Sequence, residues 1–452
     1  MVSRRRLRLV FVTLLLASVA GLAFGAATAP TTASAESVPR SDARAGHTVV
    51  TESAKFGTIV AWRPNGSLQY YDDSHTKYFD VDPVDGESLT VEYAATDTIH
   101  TSGPTCESPP CTRNVVERVN LTTGATEEIY ARYDDSELAA EWHDHVRVDD
   151  SHLLIADIVD DQVFLVDTET ELVEWRWDAQ SDFPVEEAGP YPSDWAHIND
   201  VSLLDDGRVM VSLRNQDQVV FLDRETGLVA NWTLGSEDDH DTLYEQHNPD
   251  YIPEARGGPA VLVADSENGR IVEYQRVDPE TGNATAAADG EGTWERTWQW
   301  QDARLQWPRD ADRLPNGHTL VADTHGKRVV EVDRQGEVVW SVPVSHPYDV
   351  ERLGTGPEST GGESARRLGL DPRTTEQTAN RGFDPLDLLS DVVTALVPSR
   401  IVNGVIFVSP VWMGRPEFAA ALVGIGALLT WVGFELRWRL PDVGIRWPVY
   451  RR

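Results

Sequence analysis

A short motif that ends in aspartate recurs along the chain and restricts its possible folds more than any other feature. Each copy begins with a polar or aromatic cluster and continues through a turn into an apolar run, as in HINDVSLLDDGRVMVSL from residue 197. The six marker aspartates are Asp80, Asp144, Asp200, Asp250, Asp310 and Asp349. Short strands joined by tight turns at a period of roughly 50 to 60 residues are typical of the four-stranded blades of a β-propeller.

The last copy of the motif is truncated, and its missing strands occur at the other end of the domain. HPYDVERLG, at 346–354, is not followed by further strand patterns, whereas residues 57–73 match the middle of a repeat and lack a leading polar strand. We therefore expect both ends of the domain to form one blade, because closure of the ring removes exposed sheet edges. The sequence predicts an all-β fold, a six-bladed propeller with a composite closing blade, over residues 40–355.

Apolar segments flank the predicted propeller on both sides. Residues 1–35 start with arginines and then lack charge, which predicts either a signal peptide or an N-terminal membrane anchor. The apolar run near the other end predicts a transmembrane helix over residues 416–436, followed by a basic tail over 437–452. By the positive-inside rule both ends are cytoplasmic, so we expect a protein of the cell membrane whose propeller lies on the extracellular side.

Two further segments connect the propeller to the predicted transmembrane helix. Residues 356–384 are rich in Gly, Ser, Thr, Pro and Arg without an apolar period, which predicts a linker. Leucines and valines at helical spacing over residues 385–415 predict an amphipathic or interfacial segment. The membrane is therefore one predicted partner, and the oligomeric state stays open.

The composition is strongly acidic and excludes one class of partner. The formal net charge is −35, and three lysines stand against 36 arginines. This balance resembles the proteins of extreme halophiles, whose carboxylate-rich surfaces stay solvated in concentrated salt. Because a surface of this charge repels phosphate, we expect no nucleic-acid partner.

Two smaller features agree with an external location. Cys106 and Cys111 are the only cysteines and lie in the proline-rich loop CESPPC, where a disulfide is expected rather than a metal site. Four Asn-X-Ser/Thr triplets predict a glycoprotein and start at Asn65, Asn120, Asn231 and Asn283.

Residues at a fixed distance from each marker aspartate should form rings around the axis of the propeller. The positions three before the markers hold Lys77, Glu141, His197, His247, Trp307 and His346. The positions directly before the markers hold Phe79, His143, Asn199, Pro249, Arg309 and Tyr348. Four of the 12 histidines fall in these positions, which predicts a polar ligand pocket at one mouth of the channel. The marker aspartates themselves are expected to cap turns.

At these residues the chain resembles the arylsulfotransferases of the arylsulfate sulfotransferase type, which are six-bladed propellers. The resemblance spans residues 135 to 350 and includes the long segment WPRDADRLPNGHTLVADTHGKRVVEVDRQGEVVW. It also rests on WHDH with His143, HIND with His197 and Asn199, the later Arg214, and EQHNPDY with His247. The resemblance implies that His247 accepts the sulfuryl group and that the other four residues bind sulfate and move the phenol proton.

This chemistry suits the residue types. A neutral imidazole is a competent nucleophile at sulfur, and the resulting sulfohistidine can pass its sulfuryl group to a phenol in a ping-pong reaction. The sulfohistidine route requires no metal or other cofactor, and because the chain has no Gly-rich phosphate loop we expect no nucleotide sulfate donor. Aryl sulfates and phenols are the predicted small-molecule substrates, with Arg309, His346 and His145 as further candidates for binding them.

Two other functions fit the same ring of residues. In a metal-dependent hydrolase or lactonase, Glu141, His143, Asn199 and axial aspartates would bind Ca²⁺ or Zn²⁺. In a non-enzymatic binding protein, the membrane-tethered propeller would recognise a sugar or another protein.

Overall fold

The structure is a computed structural model with two compact units, Ala33–Asn380 and the combination of Met1–Thr32 with Arg381–Arg452. It describes residues 3–29, 33–135, 140–286, 292–374, 393, 397–439, 443–444 and 450–451.

The larger unit consists almost entirely of short β-strands. The first strands in chain order are β1 (Thr48–Glu52), β2 (Thr58–Trp62), β3 (Leu68–Asp72), β4 (Lys77–Pro83), β5 (Thr90–Ile99), β6 (Cys111–Asn120), β7 (Thr126–Asp134), β8 (Trp142–Arg147), β9 (His152–Asp157), β10 (Gln162–Asp167), β11 (Leu172–Asp178) and β12 (Ile198–Leu203). They are followed by β13 (Val209–Leu213), β14 (Gln218–Asp223), β15 (Gly227–Leu228), β16 (Leu234–Gly235), β17 (His247–Ile252), β18 (Ala260–Asp265), β19 (Arg270–Val277), β20 (Thr293–Trp300), β21 (Pro308–Arg313), β22 (Thr319–Asp323), β23 (Arg328–Val332), β24 (Val338–Pro343) and β25 (Pro347–Arg352). Short 3-10 helices occur at Ala35–Ser37, Ala179–Ser181, Arg214–Gln216, Ala230–Trp232, Glu254–Arg256 and Pro357–Ser359.

These strands form six antiparallel blades, as predicted. Blades I, II, IV and V have the strand orders β4-β5-β6-β7, β8-β9-β10-β11, β17-β18-β19-β20 and β21-β22-β23-β24. Blade III has the order β12-β13-β14-β15, with β16 also paired to β14. Blade VI has the order β25-β1-β2-β3.

Blade VI combines strands from both ends of the domain, which confirms the predicted composite closure. Val50 in β1 pairs with Val350 in β25 on one side and with Val60 in β2 on the other. The predicted positions of the N-terminal strands within this blade are nevertheless wrong by one strand. Residues 57–73 supply the third and fourth strands of the blade, because the less patterned segment Thr48–Glu52 occupies the second position.

Hydrophobic contacts between neighbouring blades form the core. In the cluster between blades II and III, Leu154 and Val163 pack with Val201, Val211 and Val220, all of which are at most 1% exposed. Full burial of an aliphatic side chain of this kind contributes about 1.5–3 kcal/mol. The blades are therefore held together mainly by their facing apolar surfaces.

The marker aspartates connect adjacent blades. The amide N–H of Val201 in blade III donates to Asp144 in blade II at 2.5 Å, and that of Val81 in blade I donates to Asp349 in blade VI at 2.8 Å. Val350 and His145 make corresponding bonds to Asp310 and Asp80 at 3.1 and 3.4 Å. The prediction that these side chains cap turns is wrong for these four, since each accepts a bond from the blade that follows.

The first part of the predicted linker packs on the propeller. Helix α2 (Ala365–Leu368) begins where the Ala365 amide donates to Glu273 at 2.7 Å, and the Ser364 hydroxyl donates to the Gly257 carbonyl at 3.0 Å. Arg373 forms a parallel bridge with Trp300. Residues 375–384 of the predicted linker lie outside the described residues.

The predicted disulfide is present between Cys106 and Cys111. Of the four predicted glycosylation sites, Asn65, Asn231 and Asn283 are exposed and Asn120 is half-buried. Glycosylation itself stays a prediction.

The smaller unit contains three helices, α1 (Arg4–Thr28), α3 (Ser399–Val408) and α4 (Arg415–Arg439), and the strand pair β26 (Val443–Gly444) and β27 (Tyr450–Arg451). Helices α1 and α4 have mean hydropathies of 2.3 and 1.8 and are long and apolar enough to cross a membrane. They contact each other through an Arg8–Glu435 ion pair at 2.5 Å and through Phe11 and Trp431, whose ring centroids are 6.3 Å apart. The helix predicted for residues 416–436 is thus observed as α4.

Candidate functional site

A β-bulge in each innermost strand turns the residue before the marker aspartate towards the axis. The pairing of β8 shifts between Trp142 and Asp144, and that of β12 shifts between Ile198 and Asp200. Corresponding irregularities occur in β4, β17, β21 and beside β25. Because a bulge leaves one residue unpaired and re-aims its side chain, positions such as His143 reach the axis instead of the blade interior.

We call His143, His197, Asn199, Arg214, His247 and Arg309 the axial cluster. All but Arg214 are at least 92% buried as whole residues, and the Arg214 side chain is 14% exposed. The structure therefore brings together the five residues predicted to be catalytic and one of the three predicted for substrate binding.

Aromatic rings surround His143. Its imidazole stacks on Phe79 with centroids 4.5 Å apart, and it makes edge contacts with His197 at 4.9 Å and Tyr348 at 5.6 Å. Burial, with the nearby charges of His197 and Arg309, lowers the pKa of His143 well below its usual range. His143 is thus a neutral imidazole held rigidly in an aromatic environment, and its Nδ1 makes no hydrogen bond within the described residues.

His197 connects a carboxylate to a guanidinium. Its Nδ1 lies 2.5 Å from Oδ1 of Asp194, and Nη1 of Arg214 lies 3.0 Å from its Nε2. Since a guanidinium only donates, Nε2 accepts and the ring proton resides on Nδ1. Burial alone would raise the pKa of Asp194, but the hydrogen bond from His197 and the charge of Arg214 lower it to about 2. Asp194 thus stays ionised and orients His197 and Arg214.

His247 is completely buried, and its tautomer follows from its neighbours. Nδ1 lies 3.1 Å from the Glu245 carbonyl oxygen, which only accepts, so the proton resides on Nδ1. The second neighbour of Nδ1 is Oγ of Ser266, at 2.8 Å. Burial, followed by the charges of Arg309 and Arg214, lowers the pKa of His247 well below its usual range. The unprotonated Nε2 makes no hydrogen bond within the described residues.

Asn199 connects the cluster to the segment before His247. Its Nδ2 donates to the Gln246 carbonyl at 2.8 Å. The Gln246 amide in turn donates to Ser212 and to the carbonyls of Leu213 and Gln218 at 2.8–3.1 Å. This network joins blades III and IV and fixes the backbone from which His247 projects.

Arg309 supplies a buried cation beside an aromatic wall. Its guanidinium carbon lies 4.4 Å from the Trp307 ring centroid and 5.0 Å from that of Tyr348, and Nη1 donates to Ser53 at 2.6 Å. Burial lowers the pKa of Arg309 to about 10, so it remains protonated at neutral pH. The His247 ring lies 5.8 Å from that of Trp307. An anion beside His247 would therefore meet a positive charge, and an aromatic group would meet a flat apolar ring.

The remaining predicted residues are placed differently. The ring centroids of His346 and His325 are 5.8 Å apart, and those of His325 and Trp307 are 4.3 Å apart. His346 therefore lies beside the aromatic wall. Burial and the charges of His325 and Lys327 lower its pKa to about 2. His145 does not join the cluster, because it is buried beside Asp80 and Glu92.

The predicted metal-binding set for a hydrolase is not brought together as a ligand cluster. Glu141 forms an ion pair with Lys77. Within the described residues, the groups of three with ligand spacing are Asp80–Asp144–His145 and His152–Asp167–Glu174, and neither contains Glu141, His143 or Asn199.

Sequence reasoning missed the residues that position the cluster. Asp194 lies three residues before His197, a spacing that could have suggested contact. Ser266 follows the strand VLVAD, as Thr324 follows TLVAD, and both hydroxyls donate to a backbone carbonyl of the next blade at 2.7 Å. This repeated position is visible in the sequence, but its proximity to His247 is not.

The family model for arylsulfotransferase (ASST) matches residues 131–345. No curated protein matches the chain. Similar solved structures include a protein of unknown function from Bacteroides caccae, with 12% identity, a TM-score of 0.44, and coverage of 69% of this chain and 98% of that one. The periplasmic gluconolactonase of Pseudomonas aeruginosa has 14% identity, a TM-score of 0.41, and coverage of 69% and 99%. A catalytically inactive virginiamycin B lyase from Staphylococcus aureus has 7% identity, a TM-score of 0.36, and coverage of 68% and 88%.

The fold and the axial cluster define a six-bladed propeller with a polar site on its axis. The matched region includes every residue of the axial cluster. Over residues 131–345 the propeller is thus similar to the arylsulfotransferases, a family that implies aryl or phenolic substrates.

Proposed function

We propose that this protein transfers a sulfuryl group from an aryl sulfate to a phenol through a covalent intermediate on His247. The observation that carries this proposal is the hydrogen bonding of His247. Its Nδ1 proton is held by the Glu245 carbonyl, and its buried Nε2 has no hydrogen bond within the described residues. A neutral imidazole with a fixed, available lone pair is suited to nucleophilic attack.

In the first half-reaction, Nε2 of His247 attacks the sulfur of the aryl sulfate. The N–S bond forms while the S–O bond to the aromatic ring breaks, and the phenolate leaves with the electron pair of that bond. In the second half-reaction, the oxygen of an acceptor phenol attacks sulfur, the N–S bond breaks, and Nε2 regains its lone pair. Sulfur keeps its oxidation state throughout, so the transfer requires no redox partner.

Arg214 and Arg309 would bind the sulfuryl oxygens. Both act on the His247 ring through their positive charges, and His197 with Asp194 holds the Arg214 guanidinium in one orientation. Fixed charges of this kind stabilise the negative charge that moves from the sulfuryl oxygens to the leaving oxygen. The wall formed by Trp307 and Tyr348 would hold the aromatic ring of either substrate.

His143 is the candidate for proton transfer. It is neutral, it lies next to His197, and its Nδ1 is not engaged by another described residue. A neutral imidazole can accept the acceptor phenol's proton and deliver one to the departing phenolate in the next cycle. His143 would thus act as the general base and general acid.

The two apolar helices α1 and α4 are compatible with a membrane anchor. We place the propeller on the extracellular side, because the arginines at the start of α1 and after α4 favour a cytoplasmic location for both ends. The enzyme would then act on phenolic compounds outside the cell.

Labelling with a radioactive aryl sulfate tests the proposal. His247→Ala should abolish both transfer and covalent label, whereas His143→Ala or Arg214→Ala should slow labelling by about two to four orders of magnitude. His152→Ala, half-buried at the start of β9 and outside the cluster, is the matched control and should label like the wild type. Undiminished label in His247→Ala would move the nucleophile to another residue and refute the assignment.

A further inference from the structure

A second buried cluster lies next to the axial cluster and consists of acidic groups around one histidine. One candidate ligand atom each from Asp80, Asp144 and His145 lies within 4.8 Å of the other two. The three residues are at least 92% buried. Asp80 belongs to blade I, whereas Asp144 and His145 belong to blade II, so the cluster spans two blades.

His145 is the feature that points to a ligand. The side chain is completely buried, yet neither ring nitrogen makes a hydrogen bond within the described residues. Nδ1 lies 2.6 Å from Oδ2 of Asp80, and Nε2 lies 3.9 Å from Oε2 of Glu92. Buried imidazole nitrogens are normally hydrogen-bonded or bound to a metal, since leaving them unsatisfied is costly.

Among the described residues, the basic side chain paired with the carboxylates of this cluster is His145, which lies beside Asp80. Within the described residues, no lysine or arginine forms an ion pair with Asp80 or Asp144. Glu92, by contrast, already binds Arg118 and Arg147 at 2.7 Å, so it does not need the charge of His145.

We propose that Asp80, Asp144 and His145 bind one divalent transition-metal ion of the Zn²⁺ or Mn²⁺ type. Two carboxylates balance the charge of such an ion, and a neutral imidazole completes a mixed oxygen and nitrogen ligand set that Zn²⁺ and Mn²⁺ accept more readily than Ca²⁺ does. The ion connects the innermost strands β4 and β8. It therefore fixes the backbone that carries Phe79 and His143, which directly precede two of the ligands.

This metal is structural and takes no part in sulfuryl transfer, so the inference stands independently of the proposed function. It shares the marker aspartates Asp80 and Asp144 with the metal site considered for a hydrolase, but it contains His145 instead of Glu141, His143 and Asn199. Loss of the ion should destabilise the junction of blades I and II, since binding to the folded state alone stabilises it by mass action.

Metal analysis of the full-length protein in detergent tests the proposal. Protein stripped with EDTA is equilibrated separately with Zn²⁺, Mn²⁺ or Ca²⁺, dialysed, and analysed for metal per chain. We expect one equivalent of Zn²⁺ or Mn²⁺ in the wild type and a higher Tm than in the stripped protein. Asp144→Asn and His145→Gln should each lose this equivalent.

The partly exposed group His152–Asp167–Glu174 provides the matched control. His152→Gln removes an imidazole from that group and should retain the bound metal. The proposal is overturned if the wild type binds neither Zn²⁺ nor Mn²⁺, if only Ca²⁺ binds, or if only His152→Gln loses the metal. Because the wild-type Tm with and without metal needs no variant, misfolding of a variant does not remove the test.

Discussion

Nδ1 of His247 lies 2.8 Å from the hydroxyl of Ser266, and that hydroxyl donates its proton to the carbonyl of Pro308 at 2.7 Å. A hydroxyl has one proton, so Ser266 accepts from Nδ1 and adds to the effect of the Glu245 carbonyl. This chain of bonds crosses from blade IV to blade V. It keeps the lone pair of His247 on Nε2, which makes no hydrogen bond within the described residues.

Ser266→Ala should slow sulfuryl labelling of His247. The variant removes one of two acceptors for the Nδ1 proton, and a net hydrogen bond of about 1 kcal/mol corresponds to roughly a fivefold change in rate. Single-turnover labelling measures the effect. Thr324→Ala breaks the equivalent bond between blades V and VI and should leave labelling unchanged. If both variants were labelled equally slowly, the Ser266 hydroxyl would act only through the packing of the blades.

Asp194→Asn should weaken the action of Arg214. The substitution removes a charged partner of His197, and hydrogen bonds to charged groups contribute about 1.5–3 kcal/mol, which predicts about a ten- to hundredfold loss in labelling rate. Because the pKa of Asp194 is about 2, the ratio of wild-type to variant rates should be constant between pH 5 and 8. Asp206→Asn, which removes a surface ion pair with Arg208, is the control. A wild-type rate in Asp194→Asn would refute the positioning role.

Asp161→Asn should stabilise the propeller at alkaline pH. Asp161 accepts bonds from the Ala196 and His197 amides at 2.8 and 3.3 Å, and burial raises its pKa to about 6. A raised carboxyl pKa favours the folded state below the unfolded pKa near 4, and this contribution is lost as the pH rises through 6. Asparagine retains an acceptor without the charge. The difference in Tm between variant and wild type should therefore be larger at pH 8 than at pH 4.

Exposed Asp150 provides the control for this pH dependence. Asp150→Asn should change the Tm equally at the two pH values. The measurement belongs in concentrated salt, because salt screens the repulsion among the surface carboxylates of a chain with a net charge of −35. The prediction would be contradicted if the difference in Tm between Asp161→Asn and the wild type were the same at pH 4 and pH 8.

Helix α1 should remain in the mature protein as a membrane anchor. Its Arg8 is paired with Glu435 of α4, and the Cβ of its Ser18 lies 3.1 Å from where a Cβ on Gly424 would be, so small residues let the two helices approach closely. Tags before α1 and after Arg452 should both survive protease treatment of intact cells, while the propeller is degraded. Loss of the N-terminal tag during maturation would identify α1 as a cleaved signal peptide. Degradation of the C-terminal tag would contradict the orientation.

Much of the fold could be predicted from the sequence because propeller strands are local features. The period of the marker aspartates and the strand patterns between them define the blades, and the truncated last copy predicts the composite blade VI. In blade VI the predicted strand positions were wrong by one strand. The missed strand, Thr48–Glu52, is buried on both faces and therefore has no alternation of polar and apolar residues to reveal it.

The sequence by itself determined which residues reach the axis, since His143, His197, Asn199 and Arg309 occupy fixed positions before the marker aspartates. It also contained the resemblance to the arylsulfotransferases, with which the family-model match over residues 131–345 agrees. Only the tertiary structure decided how these residues are held. The bonds of Ser266 to Pro308 and of Asp144 to Val201 join different blades, and so does the contact of His145 with Asp80. Closure of the ring creates these contacts, and no local sequence pattern encodes which side chains will meet across it.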